Sequence, residues 1–295
     1  FAKYESTLDE PFRTRISSKY KDRYDYWKKT EFTESQWKKI IQFCKKYKII
    51  FATSPFSVEA VKIMRKLGCR NWKIGSGEVF SDWIINEILK KKDDGIIISS
   101  GMSTWVDLKR NYKLISKKKG KNFAILQCTT NYPSDFKNVG LNVITDMKKR
   151  FNCYIGLSDH TGSVFPSIAA LSLGAEIVEI HVCISRKHKG VDINSSVTFE
   201  ELKTICKARD SIYKMRKNPV NKNILSNIQK KNKKIFSKSI AIKNDLMKGD
   251  KIYISNLTLK KPGTGFNEKY LKKITNKIAK KDLSAKRILM KGDFE

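Results

Sequence analysis

The sequence predicts an α/β protein, a (β/α)8 barrel followed by a small, mostly-β domain. Three observations predict it. Short β-rich runs alternate with amphipathic helical patterns at a spacing of roughly 25–30 residues, which marks a parallel sheet covered by helices. Nearly every run ends in a small polar or charged residue, as the C-terminal rim of a barrel requires. A doubly wound sheet concentrates such residues at one switch point instead. Near Lys217 the pattern gives way to a Lys/Asn-rich stretch, then to short apolar runs broken by turn dipeptides.

In chain order, residues 1–4 read as the end of a short strand containing Lys3, and 5–30 as a long polar and aromatic loop. Thr33-x-x-Gln36 is a capping box opening a helix with Trp37, Ile40, Ile41 and Cys44 on one face. Residues 49–53 form a β-rich run ending in Ser54-Pro55, and a helix bearing Ala60, Ile63, Met64 and Leu67 stops at Gly68. Strands at 71–74, 95–99 and 123–128 break at Gly75-Ser76-Gly77-Glu78, Ser100-Gly101 and Thr129-Thr130-Asn131-Tyr132-Pro133, with helices at 83–89, 105–116 and 143–150. The strand 153–157 leads into Ser158-Asp159-His160, a helix at 166–173 ends at Gly174, and the strand 177–182 carries His181. Thr198-x-x-Glu201 caps a last helix. These make seven strands, so an eighth is expected ahead of Phe1. The expected boundaries are 1–216 for the barrel, 217–236 for a linker and 237–295 for the small domain.

All three histidines, His160, His181 and His188, fall between Gly156 and Asp192. Strand alternation puts Ile177, Glu179 and His181 on one face. Burying Glu and His there costs several kcal/mol unless they pair or bind something. A core His–Glu pair would satisfy one histidine. Two imidazoles at successive strand ends point to a metal site. His188 lies in a basic loop and reads as exposed. Six scattered cysteines without a C-x-x-C fit a reduced, cytoplasmic protein. No segment approaches a membrane span. The formal charge of +32 favours anionic partners. The lysines, however, are spread over polar helical faces without interleaved aromatics, so nucleic acid is not the expected partner and a small anion is.

The rim motifs, in order, carry a resemblance. Lys73-Ile74-Gly75-Ser76-Gly77-Glu78, Ser99-Ser100-Gly101-Met102, Gln127 to Pro133, Gly156-Leu157-Ser158-Asp159-His160-Thr161 and the run from Leu173 to His181 together resemble the sialic acid synthase family. The tail, with Lys248-Gly249-Asp250 and Lys260-Lys261-Pro262-Gly263-Thr264-Gly265, is similar to the antifreeze-like (SAF) domain of those enzymes. The resemblance implies condensation of phosphoenolpyruvate with an N-acetylated amino-hexose to give a nonulosonic acid and phosphate. It implies that Lys3, Ser54, Lys73, Ser76, Ser99, Thr130 and Ser158 hold phosphoenolpyruvate. Glu78 would act as general acid/base, and Tyr132 and Asp192 would contact the sugar. His160 and His181 would hold a divalent metal, Mn2+ or Mg2+, in the catalytic centre. It further implies a homodimer in which each small domain caps the other subunit's barrel, with Lys261 standing where the family has an arginine. Glu5 stands where Gln is usual, and Thr130 where Asn or Ser is. Two other readings compete: a metal-dependent barrel aldolase or lyase acting on a phosphorylated sugar, and a non-catalytic polyanion-binding protein. Phosphate release that depends on an amino-hexose separates the first two, and steeply salt-dependent nucleic-acid binding would mark the third.

Overall fold

The computed structural model describes residues 1–12 and 20–295. The chain divides into two units, Phe1–Asn218 and Pro219–Glu295.

The first unit holds one parallel sheet of six strands: β1 (Asn71–Ile74), β2 (Gly95–Ser99), β3 (Ala124–Cys128), β4 (Tyr154–Asp159), β5 (Ile177–Cys183) and β6 (Ser196–Thr198). Each strand pairs with the next in sequence, without the reversal of a doubly wound sheet. A contact shows how far the sheet curls. Lys73 on β1 lies 3.3 Å from Glu179 on β5. In a flat sheet those strands would be about 19 Å apart, beyond the reach of two side chains. The sheet therefore bends until its first strand faces its fifth, as a barrel wall does.

Nine helices accompany it: α1 (Ala2–Glu5), α2 (Arg23–Thr30), α3 (Glu34–Lys46), α4 (Val58–Lys66), α5 (Asp82–Leu89), α6 (Trp105–Lys119), α7 (Leu141–Arg150), α8 (Phe165–Ser172) and α9 (Phe199–Lys217) among the described residues. Strand alternation decides where the core lies. On β1, Trp72 and Ile74 are buried in the apolar cluster, with Val61 and Met64 of α4 and Ile85 and Ile88 of α5. Lys73, between them, points to the barrel interior. Ile98, Ile125 and Ile155 continue the same layer against Leu108, Ile115, Ile144 and Met147. Ahead of β2, Asp94 accepts from Trp72 Nε1 at 2.8 Å and pairs with Arg65 at 3.1 Å, away from the rim.

The second unit contains α10 (Asn227–Phe236), an antiparallel pair β7 (Ser239–Ile242) and β8 (Leu257–Lys260), and α11 (Leu271–Ile274) around Ile240, Ile242, Ile252 and Leu289. No helix among the described residues is long and apolar enough to cross a membrane.

Four expectations need correction. Residues 1–4 are not a strand: Ala2 to Glu5 form a helical turn, so Lys3 is exposed on a helix. The run 49–53 contributes one bridge among the described residues, Thr53 to Trp72; the Ile49 N–H bonds the Cys44 carbonyl at the end of α3 instead of a strand, and Ile49 and Ile50 remain exposed. The expected loop 5–30 ends in α2, whose N-cap Asp22 accepts from the Asp25 backbone; its 13–19 portion lies outside the described residues. The expected linker carries α10, opened by a Ser226–Gln229 capping box. The expected caps at Thr33 and Thr198 and the stop at Gly174 are present.

Candidate active site

The rim residues of the first unit form one connected set at the C-terminal ends of β1 to β5. Lys73 Nζ donates to Ser99 Oγ at 2.7 Å and lies 3.3 Å from Glu179 Oε2. Its side chain is only 14% exposed, so the ammonium is held in the interior by these partners and by the Ile74 carbonyl at 3.5 Å. An ammonium in such a place needs a counter-charge. Glu179 supplies it: the carboxylate expected to pair with a histidine lies instead beside Lys73.

Beside this pair, Ser76 Oγ accepts from the Gly101 N–H at 3.1 Å and donates to Cys128 Sγ at 3.7 Å. Gly101 is what lets these groups converge. A Cβ there would lie 2.1 Å from Thr130 Oγ1, 2.6 Å from Ser76 Oγ and 3.2 Å from Cys128 Sγ. Cys128 and Ser158 are partners in the register of β3 and β4, and both are buried. Burial alone would push the Cys128 thiol up, but hydrogen bonding with His160, Ser76 and Ser158 and the nearby imidazole hold it below its ordinary value. Nothing in the apolar run of β3 marked Cys128 as a site residue.

His160 is 5% exposed, and its Nδ1–H donates to the Thr129 carbonyl at 2.8 Å. Burial would lower its pKa, yet hydrogen bonds to Cys128 and Thr129 and the charges of Cys128 and Asp159 raise it. The ring centroids of His160 and His181 are 5.2 Å apart, and Tyr132 lies 4.0 Å from the first and 5.7 Å from the second. Asp192 Oδ2 approaches His181 Nδ1 at 3.8 Å. Both imidazoles thus face one space, flanked by an aromatic ring and a carboxylate.

Glu78 sits in the turn after β1. Burial pushes its carboxyl up, opposed by hydrogen bonding to its own backbone and by the field of Lys73, and assisted by Glu5. With Glu5, Ser54, Phe56 and Trp37 it lines a cleft of about 680 Å³, from whose walls both histidines are absent.

The structure therefore brings together Lys73, Ser76, Ser99, Thr130, Tyr132, Ser158, His160, His181 and Asp192, with Glu78 and Ser54 in the adjoining cleft. Lys3 is not among them: it is exposed, with Nζ 5.4 Å from the Tyr4 ring centroid. Lys261 belongs to the second unit, 5.4 Å from the Phe236 ring centroid. His188 is exposed, as its basic loop implied.

His160 Nδ1 is fixed on a backbone carbonyl, as one ring nitrogen of a ligating histidine usually is. Among the described residues no group of three or more His, Cys, Asp or Glu is arranged to hold a metal ion. A cation here would take two imidazoles and complete its shell with water and substrate, unlike a structural zinc with its four protein ligands.

Fold and site define an α/β-barrel enzyme with a second, small domain. The chain belongs to the NeuB family, whose model matches residues 3–221, and a SAF domain matches residues 237–295. It is 31% identical over 278 residues to the N,N'-diacetyllegionaminic acid synthase of Campylobacter jejuni, covering 92% of this chain and 82% of that protein. It is 27% identical over 250 residues to the pseudaminic acid synthase of the same species, covering 84% and 71%. The crystal structure of the N-acetylneuraminic acid (sialic acid) synthetase of Leptospira borgpetersenii serovar Hardjo-bovis shares the fold, with TM-score 0.64 and 23% identity over 71% of this chain and 73% of that one.

Proposed function

We propose that the protein condenses phosphoenolpyruvate with an N-acetylated amino-hexose, N-acetylmannosamine or a 2,4-diacetamido relative, giving a nonulosonic acid and phosphate for surface-glycan biosynthesis. The reading rests on one observation above others: a partly buried ammonium, Lys73, stands among hydroxyls in the same barrel mouth as the facing imidazoles of His160 and His181. Phosphoenolpyruvate brings a phosphate and a carboxylate. Such an anion gains most from charge-assisted donors in a partly desolvated site.

Lys73, Ser76, Ser99 and Ser158 would bind the anion and fix the orientation of its C3. Tyr132 and Asp192 would hold the sugar so that its open-chain aldehyde meets that carbon. The new C–C bond forms between C3 and the aldehyde carbon, and the aldehyde oxygen takes up a proton. Water adds to C2, losing a proton, and phosphate leaves with cleavage of the C2–O bond. Glu78, whose carboxyl burial keeps toward its neutral form, would give and take these protons. A divalent cation bound by His160 and His181 would supply Lewis acidity toward the sugar carbonyl. We place the reaction in the cytoplasm and expect a homodimer whose small domains close the partner barrels. The test is phosphate release from phosphoenolpyruvate. It should require an amino-hexose, and release that ignores the sugar would refute the reading.

A further inference from the structure

We propose that Glu179 is the counter-ion that the anionic substrate displaces from Lys73, and that it thereby limits how tightly substrate and phosphate are held. The inference rests on the functional reading above and deepens it.

Lys73 Nζ has three oxygen neighbours of different quality. Ser99 Oγ accepts a directed hydrogen bond at 2.7 Å, and the Ile74 carbonyl lies at 3.5 Å. Glu179 Oε2 is 3.3 Å away but makes no directed hydrogen bond among the described residues, although that oxygen is buried. The ion pair is thus one of proximity alone. The Glu179 side chain as a whole is 39% exposed, and His181 lies two residues along the same strand face.

Two consequences follow. Ser99 and the Ile74 carbonyl hold the ammonium in place without Glu179, so the carboxylate is not needed to aim it. An anion that offers Lys73 directed, charge-assisted hydrogen bonds outcompetes a carboxylate that offers none. Glu179 stays nearby once displaced, because its backbone is fixed in β5 between β4 and β6. Its charge then repels the bound anion, and it recaptures Lys73 when phosphate departs. The arrangement gives up affinity that would be shared equally by substrate and product, which is affinity of no use to the chemical step.

The test is calorimetric titration of the full-length protein with phosphoenolpyruvate and, separately, with inorganic phosphate. Glu179→Gln keeps the shape and removes the charge, and both anions should bind about tenfold more tightly, the size expected of a carboxylate roughly 6 Å away in a partly solvated site. Glu179→Asp keeps the charge and should stay within about twofold of wild type. Glu179→Ala, with its fold checked by circular dichroism, should follow Gln and serves if Gln fails to fold. In steady state the Gln variant should show a lowered KM for phosphoenolpyruvate, an unchanged KM for the sugar and stronger inhibition by phosphate. Unchanged or weaker anion binding by both neutral variants overturns the inference while leaving the functional reading intact, and so does a raised sugar KM. A wild-type protein that binds no phosphoenolpyruvate overturns both.

Discussion

Gly101→Ala tests the geometry of the site without removing any of its functional groups. The added methyl would lie 2.1 Å from Thr130 Oγ1 and 2.6 Å from Ser76 Oγ. Ordinary carbon–oxygen contact needs about 3.3 Å, so both hydroxyls must retreat, the first by more than about 1 Å. Thr130 is exposed and can turn away. Ser76 cannot turn freely, because it accepts from the Gly101 N–H and donates to the buried Cys128 thiol. Overpacking of this kind costs about 1–3 kcal/mol. Losing the Gly101–Ser76 hydrogen bond adds about 1 kcal/mol. A displacement near 1 Å among substrate-positioning groups can lower turnover by about a hundredfold. Urea unfolding should therefore show a loss of about 2–4 kcal/mol, and kcat/KM for phosphoenolpyruvate should fall by about two orders of magnitude. Adding Thr130→Ala removes the nearest atom and should return part of the stability, a coupling of about 0.5–3 kcal/mol. A Gly101→Ala protein with wild-type stability and wild-type kcat/KM would show that Ser76, Thr130 and Cys128 do not converge as described.

Other residues give sharper separations between fold and chemistry. His160→Ala and His181→Ala should each abolish turnover while circular dichroism stays native. His160→Ala should lose more stability, about 1–3 kcal/mol, because its ring is buried and hydrogen-bonded; retained activity in either would remove the imidazole pair from the mechanism. Glu78→Gln should be more stable than wild type at neutral pH. Burial raises the folded-state pKa above the unfolded one, so the destabilisation from the charged form appears as pH rises through that raised value and vanishes below the ordinary glutamate range. Equal gains at pH 3 and pH 7.5 would contradict that cause. Asp94→Ala leaves the buried Trp72 N–H without its acceptor and Arg65 with Glu87 as its remaining carboxylate, far from the rim, so unfolding should show a loss of about 1–3 kcal/mol with kcat little changed. A large fall in kcat with stability preserved would place Asp94 in the reaction instead.

The parts of the fold legible in the sequence are those where local pattern and tertiary partner agree. The strands from β1 to β5 announce themselves because each is an apolar run with a polar tip, and the capping boxes at Thr33 and Thr198 fix helix starts to the residue. Where they disagree, pattern misleads. Residues 49–53 have the composition of a strand, but among the described residues they form one β-bridge, at Thr53. Conversely β6 is three residues, Ser196, Val197 and Thr198, too short and too polar to stand out, and it exists because β5 offers it a ladder. The helix α10 was hidden by its lysines, although Ser226 and Gln229 spell its capping box.

The site divides in the same way. Histidines at two strand ends and a lysine inside an apolar strand are visible as violations of the local rule, and they converge. Cys128 and Glu179 obey or only slightly bend that rule, so their roles come from register: Cys128 beside Ser158 on β4, and Ser158 beside Glu179 on β5. Lys3 shows the converse error. Its position along the chain suggested a strand interior, whereas the backbone there turns as a helix and exposes it.

The most direct test of the account is product stoichiometry. The full-length protein, Mn2+ or Mg2+, phosphoenolpyruvate and each candidate amino-hexose would be incubated together, with phosphate and sugar acid quantified by mass spectrometry. The account predicts one nonulosonic acid, equal in mass to sugar plus phosphoenolpyruvate plus water less phosphoric acid, for each phosphate released. Phosphate without that product, or the product's absence with every amino-hexose tried, would contradict it.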